Sequence, residues 1–162
     1  MKLAHTMIRV KDLEASLDFY VGFIGLEERR RKPIGDEATL VFLSDADERY
    51  VLELTYNHGK TEYTLGDQFG HLAFFTDDLD RIVADLDRRG WWYRKSRPEV
   101  GSRYIFVKDP NGYDVEILTP AGVEFRYPDI LLHQHGMIFV DYHAARGAGV
   151  AGVNASRVGK GL

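Results

Sequence analysis

His5-Thr6-Met7-Ile8-Arg9-Val10-Lys11-Asp12-Leu13 and His71-Leu72-Ala73-Phe74-Phe75-Thr76-Asp77-Asp78-Leu79 are two versions of one pattern. In both, a histidine opens a short and largely apolar run, and an Asp-Leu pair follows at the same distance. A stretch with apolar residues at helical spacing comes next in each copy. Self-similarity of this kind predicts a chain built from two copies of one module.

The helical stretches have matching apolar positions and similar start signals. The apolar positions are Leu13, Leu17, Phe19 and Tyr20 in the first copy and Leu79, Ile82, Val83 and Leu86 in the second. Asp12 and either Asp77 or Asp78 are the expected N-caps. Gly90 is the expected end of the second helix. Each copy therefore predicts a strand followed by a helix.

The ends of the two copies also correspond. Leu43 falls on Phe106, Tyr50 on Tyr113 and Glu53 on Glu116. These stretches predict three short strands after each helix, so we expect an α+β fold of two βαβββ modules in tandem. The expected divisions are a first module at 1–57, a linker at 58–69, a second module at 70–120 and a C-terminal extension of unknown role at 121–162.

Strand parity places polar residues of the first module on one face of its sheet. His5 and Arg9 share one face of the first strand, and Glu53 and Asn57 share one face of the last strand of that half. A right-handed crossover and two hairpins make the first and last strands parallel. We therefore expect His5 beside Glu53, and Arg9 beside Asn57 about 13 Å further along the strand.

The second module repeats the histidine and the glutamate, as His71 and Glu116. A single strand histidine is usually a core residue, but a buried glutamate is rare unless it is paired. Two such pairs at equivalent positions favour a metal site made of His5, Glu53, His71 and Glu116. This set suits an octahedral divalent ion with two positions left for water or substrate.

Composition excludes several other kinds of site. The 162 residues include no cysteine, so disulfides and thiolate metal ligands are excluded. The net charge is −4, and the only dense basic cluster, at 29–32, is interpreted as a solvated loop rather than a nucleic-acid surface.

No apolar run approaches the roughly 20 residues that cross a membrane. No signal-peptide pattern opens the sequence, so we expect a cytoplasmic protein.

Several motifs resemble those of the glyoxalase I family, in the vicinal oxygen chelate superfamily. The likeness covers about residues 1–120. The stretches that carry it are 5–13, Ser16-Leu17-Asp18-Phe19-Tyr20, Gly25-Leu26, Glu53-Leu54-Thr55-Tyr56-Asn57, Gly70-His71 and Asp109-Pro110-Asn111-Gly112-Tyr113-Asp114-Val115-Glu116-Ile117-Leu118. The short start and the lack of long insertions resemble the compact bacterial class of this family.

The resemblance implies an activity and residue roles. The activity is isomerisation of the methylglyoxal–glutathione hemithioacetal to S-lactoylglutathione by metal-stabilised proton transfer through an enediolate, which detoxifies methylglyoxal. The four predicted ligands hold the metal, with Ni²⁺ or Co²⁺ favoured and Zn²⁺ possible. Glu116 is also the catalytic base, and Arg9 and Asn57 hold the γ-glutamyl end of glutathione. A homodimer with sites shared between chains is implied as well.

Some features of the substrate site stay open. In the repeat, Phe75 takes the place of Arg9 and is assigned to the core. Longer family members carry an arginine where this chain has Asp67, so Lys95, Arg97 or Arg103 are the candidates for the second glutathione carboxylate. The alternatives to a glyoxalase I are an acyl-CoA epimerase, an extradiol dioxygenase and a non-catalytic small-molecule binding relative.

Overall fold

The computed structural model describes residues 3–97 and 103–120, together with the backbone of residues 130–133 and 136–139. The chain divides into two compact units, Met1–Val123 and Glu124–Leu162. The first unit contains both copies of the repeat and every residue of the predicted site.

The first unit alternates strands and helices in the order that the repeat predicts. The first copy contains β1 (Thr6–Val10), α1 (Leu13–Leu17), a π-helical segment (Asp18–Phe23), β2 (Glu27–Ile34), β3 (Ala38–Ser44) and β4 (Val51–Asn57). The second copy contains β5 (His71–Phe75), α2 (Leu79–Arg89), β6 (Tyr93–Lys95), β7 (Tyr104–Lys108) and β8 (Asp114–Leu118).

The strands form two sheets of identical topology. The first sheet has the order β1-β4-β3-β2 and the second has β5-β8-β7-β6. β1 runs parallel to β4 and β5 runs parallel to β8, while the remaining pairs are antiparallel. The predicted α+β fold of two tandem βαβββ modules is confirmed.

Both helices begin at an aspartate that accepts a backbone hydrogen bond. Asp12 accepts from the N–H of Ala15, and Asp78, rather than Asp77, accepts from the N–H of Arg81. Gly90 ends α2 with a φ of 68°, a conformation that glycine adopts without steric cost. After α1 the chain widens into the π-helical segment, which the sequence pattern did not predict.

A single core lies on one face of each sheet, where the helices pack. The alternating apolar residues of the central strands supply it, namely Val41, Leu43, Leu52, Leu54, Ile105, Val107, Val115 and Ile117. Phe19, Tyr20 and Phe23 of the π-helical segment are buried against them. The predicted site residues lie on the opposite face of each sheet.

A turn of the second copy is anchored on the first helix by a buried polar network. Asn111 accepts a hydrogen bond from the N–H of Lys11 and donates to Ser16 Oγ, over 2.7 and 3.1 Å. Tyr20 donates its hydroxyl to Asp109 over 3.0 Å. Burial raises the pKa of Tyr20, and the Asp109 carboxylate raises it further, so this hydroxyl remains a donor.

Two interpretations of the sequence that concern strand assignment and alignment are wrong. The basic cluster at 29–32 is not a loop: it lies in β2, an exposed edge strand, where charged side chains discourage pairing with other chains. The counterpart of Phe106 is Phe42 rather than Leu43, because these two phenylalanines face Glu116 and Glu53 in the same register. The turn before β4 is thus longer by one residue than the turn before β8.

The second unit contains a hairpin of β9 (Ile130–His133) and β10 (Gly136–Phe139), which pair antiparallel. The rest of the predicted C-terminal extension lies outside the described residues. Among the helices that the structure describes, none is long and apolar enough to cross a membrane.

Candidate metal centre

The first half of the predicted centre lies at the start of the first sheet. His5 immediately precedes β1, and Glu53 lies on β4 opposite Met7. His5 is thus diagonal to Glu53 in the sheet. The sequence predicts that the two residues are neighbours, but not that they are offset in this way. The long glutamate side chain spans the diagonal, and His5 Nε2 lies 2.9 Å from Glu53 Oε2.

The second half repeats this arrangement. Glu116 lies on β8 opposite Ala73, and His71 precedes Ala73 by two residues on β5. His71 Nε2 lies 3.1 Å from Glu116 Oε2. The duplicated fold therefore presents the same histidine–glutamate pair twice.

An aromatic ring supports each histidine. Phe42 lies beside Glu53 on β3, and its ring meets the His5 ring edge-to-face at 5.8 Å. Phe106 lies beside Glu116 on β7 and meets His71 at 5.2 Å. This role is not evident from the sequence unless the two turns are aligned so that Phe42 corresponds to Phe106, which places both phenylalanines on the site face.

The two pairs are open to solvent on the imidazole side. The side chains of His5 and His71 are 39% and 41% exposed, whereas those of Glu53 and Glu116 are 10% and 17% exposed. Within residues 3–97 and 103–120, no three histidine, aspartate or glutamate side chains converge on one point. One chain thus contains two half-sites and, within those residues, not the four-residue cage.

The donor chemistry of each half-site fits a divalent cation. A neutral imidazole and a carboxylate are suitable ligands for transition metals, and here their donor atoms already converge. Two such pairs would place two imidazoles and two carboxylates around one ion, so the charge of the ion would be balanced. A complete site requires the two half-sites to face each other.

The predicted substrate residues lie further along the same face. Arg9 is paired with Thr55 across β1 and β4, so Asn57 lies two positions beyond the direct partner of Arg9. The Asn57 amide donates to the Tyr63 hydroxyl over 2.8 Å. Arg9 and Asn57 are therefore on one face at one end, but they are not directly opposed.

Two tyrosines accompany these residues. Burial raises the pKa of Tyr113, and a hydrogen bond to the backbone of Arg9 acts in the opposite direction. Tyr63, in the segment between the two copies, carries the Lys60 ammonium 4.7 Å above its ring. This end of the site thus combines cations with hydroxyl and amide groups, which suits a polar and anionic ligand.

Phe75 is not a core residue, contrary to the sequence interpretation. Its side chain is 60% exposed on the face that carries His71. Parity with His71 was the signal for this position. The second copy thus presents an apolar surface where the first presents Arg9.

The candidate cations of the second copy differ in how they are engaged. Arg103 forms an ion pair with Asp80 at 2.6 Å, Lys95 lies over the ring of Tyr93, and Arg97 is exposed. Arg94, which is not among the cations predicted from the sequence, lies 4.9 Å over the Phe106 ring and pairs with Phe106 in the sheet register. Because Phe106 pairs in turn with Glu116, the three residues Arg94, Phe106 and Glu116 lie side by side across β6, β7 and β8.

The duplicated fold and its paired histidines and glutamates define a class of protein. The chain belongs to the glyoxalase/bleomycin resistance protein/dioxygenase superfamily, whose family model matches residues 2–117. The resemblance inferred from the sequence motifs is thereby confirmed.

Individual relatives narrow this class. A lactoylglutathione lyase of Neisseria meningitidis serogroup A is 40% identical over 124 residues, which cover 73% of this chain and 90% of the relative. A lactoylglutathione lyase of Escherichia coli O157:H7 is 35% identical over 124 residues, which cover 73% of this chain and 92% of that relative.

A solved structure agrees with these relatives. The trypanothione-dependent glyoxalase I of Leishmania major is 36% identical, with a TM-score of 0.65, over 74% of this chain and 86% of that chain. The chain is thus similar to glyoxalase I enzymes in both sequence and fold.

Proposed function

We propose that this chain is a lactoylglutathione lyase, which isomerises the hemithioacetal of methylglyoxal and glutathione to S-lactoylglutathione. One observation carries the proposal: the pairs His5–Glu53 and His71–Glu116 recur at equivalent positions on the open faces of the two sheets. The names of the bacterial relatives, at 35% and 40% identity, support the choice of reaction.

The four paired residues would hold one divalent ion. When bound, such an ion supplies Lewis-acid stabilisation of negative charge that develops on the substrate oxygens. Ni²⁺ or Co²⁺ is the proposed ion because the chain has no long insertions between its motifs and so resembles the compact class of the family, and Zn²⁺ is compatible with the same donors. The sheet register brings His5 close to Glu53 and His71 close to Glu116, which supports this role.

The complete site would form in a homodimer. Each chain offers two half-sites on solvent-exposed faces, and a twofold axis can bring the first half-site of one chain onto the second half-site of its partner. Two equivalent sites per dimer result from that symmetry. The exposed faces also carry Met7 and Phe75, which are 41% and 60% exposed and would be covered in the dimer.

The substrate would be bound by its polar end and its reacting end. The Arg9 guanidinium would bind a carboxylate of the γ-glutamyl group, and Asn57, oriented by Tyr63, would bind the same group. Glu116 would move the proton between adjacent carbons, as a carboxylate within reach of both carbons can do. A reduced thiol substrate is consistent with action in the cytoplasm, where glutathione is kept reduced.

Both modules and the linker have a role in the proposed reaction. The first module, 1–57, supplies one half-site and the polar substrate residues, and the second module, 70–120, supplies the other half-site and the base. The linker at 58–69 contributes Tyr63 to the substrate end. The extension at 121–162 has no role in this scheme.

The test is an assay of thioester formation from methylglyoxal and glutathione by metal-stripped protein reloaded with single ions. We expect activity only after reloading, with Ni²⁺ or Co²⁺ above Zn²⁺. Because the Leishmania relative is described as trypanothione-dependent, trypanothione and bacillithiol are compared with glutathione. Full activity of metal-stripped protein, or thioester formation with none of the thiols, would contradict the proposal. Turnover of an acyl-CoA epimer or a catechol instead would favour the alternative enzymes.

A further inference from the structure

Glu53 has a second hydrogen-bond partner besides His5. Thr55 lies two residues further along β4, so its side chain lies on the same face of the sheet. The Thr55 hydroxyl donates to Glu53 Oε1 over 2.7 Å, while Glu53 Oε2 is the oxygen that lies near His5. Both oxygens of this carboxylate therefore have a fixed neighbour.

The equivalent position in the second copy carries no hydroxyl. Leu118 lies two residues after Glu116, as Thr55 does after Glu53. Glu116 Oε2 contacts His71, but among the described residues no hydrogen bond reaches its other carboxylate oxygen. The duplicated glutamates thus differ in how many of their oxygens are held.

We infer that Thr55 is a positioning residue, which fixes Glu53 as the static carboxylate of the metal centre, while Leu118 leaves Glu116 free to reorient. The inference rests on the proposed function, because it assumes that both glutamates face a bound ion. It explains from this chain's own contacts why two formally equivalent glutamates need not share one role.

The hydrogen bond between Thr55 and Glu53 is buried, so its loss should affect metal binding. Glu53 and Thr55 are only 7% and 8% exposed, so little water is available to replace the hydroxyl if it is removed. The carboxylate would then lose the partner that fixes its orientation. Loss of such an outer partner typically weakens metal binding by about 10–100-fold.

The experiment measures the dissociation constant of Co²⁺ for the full chain by competition with a chromophoric chelator. The variants are Thr55→Val, which keeps the shape and removes the hydroxyl, Thr55→Ser, which keeps the hydroxyl, and Leu118→Val as the matched control. We expect roughly 10–100-fold weaker binding for Thr55→Val. Thr55→Ser and Leu118→Val should remain near the wild-type value.

Wild-type affinity in Thr55→Val would overturn the role of Thr55, and so would an equal loss in Thr55→Ser. Circular dichroism of the metal-free variants detects a folding defect. If Thr55→Val does not fold, Thr55→Ala replaces it, with the same expected loss and the same overturning result. A wild-type chain that binds no divalent ion would contradict the proposed function itself, which separates the two failures.

Discussion

The two copies of the repeat agree in the residues that could hold a metal and differ in the residues around them. Each copy places a histidine diagonal to a glutamate, with a phenylalanine beside both. The first copy adds Arg9 and Thr55, where the second has Phe75 and Leu118. Duplication therefore accounts for the symmetric set of candidate ligands, whereas an asymmetric reaction requires the residues around them to diverge.

The largest expected effect tests which glutamate carries the proton. Glu116→Gln keeps the size and one oxygen donor of the side chain, but an amide cannot accept the proton. We expect turnover at saturating metal to fall by at least about 10²-fold, with a smaller loss of metal affinity. Initial rates of thioester formation and metal titration on the same preparation provide the check.

Glu53→Gln is the matched control for that variant, because it makes the same change in the other copy. Its main expected defect is weaker metal binding, with turnover partly recovered at saturating metal. Near-normal turnover in Glu116→Gln together with collapse in Glu53→Gln would assign the base to the first copy instead.

Arg9 tests the polar end that the second copy lacks. Arg9→Ala removes a charge-assisted hydrogen bond to a substrate carboxylate, a loss of about 1.5–3 kcal/mol. We expect KM for the glutathione hemithioacetal to rise about 10–100-fold, with the metal still bound. Arg88→Ala, which removes a cation of α2 that is already paired with Asp85, should leave KM unchanged. A KM that does not respond to Arg9→Ala indicates a substrate that is not a glutathione adduct.

The two copies also meet at the turn of the second copy that contains Asn111, which is anchored on α1 of the first copy. Asn111→Ala would leave the N–H of Lys11 and the hydroxyl of Ser16 without this partner, in a site where Asn111 is 5% exposed. We expect the free energy of unfolding to fall by about 2–3 kcal/mol in urea denaturation. Asp80→Ala, which breaks an exposed ion pair, should cost less than about 1 kcal/mol. Equal losses in the two variants would argue against a structural role for the buried network.

The sequence is sufficient to predict features that depend on periodicity. It is not sufficient for features that depend on strand register or on the direction of a side chain. Repeat, helix caps and strand parity were sufficient for the fold and for each histidine–glutamate neighbourhood. The turn length that aligns Phe42 with Phe106 was misjudged by one residue, because a loop insertion leaves no periodic signal. Phe75 was assigned to the core because hydrophobic residues are usually buried, although parity put it on the site face.

Two side-chain hydrogen bonds at the site could not be predicted from the spacing of residues. The Thr55 hydroxyl and the Tyr63 hydroxyl meet their partners through side-chain rotamers, which residue spacing does not determine. Spacing also could not predict whether the two half-sites meet, since in the proposed dimer this depends on how two chains pack.

The proposed metal centre combines the first half-site of one chain with the second half-site of its partner. The direct test mixes two inactive variants, His5→Ala and Glu116→Gln, under conditions that exchange subunits. A mixed dimer then contains one site with both defects and one intact site. Random mixing should restore about a quarter of wild-type turnover, because half of the dimers are mixed and each has one working site of two. If each chain instead completes its own site, the mixture stays as inactive as its components, and the claim is contradicted.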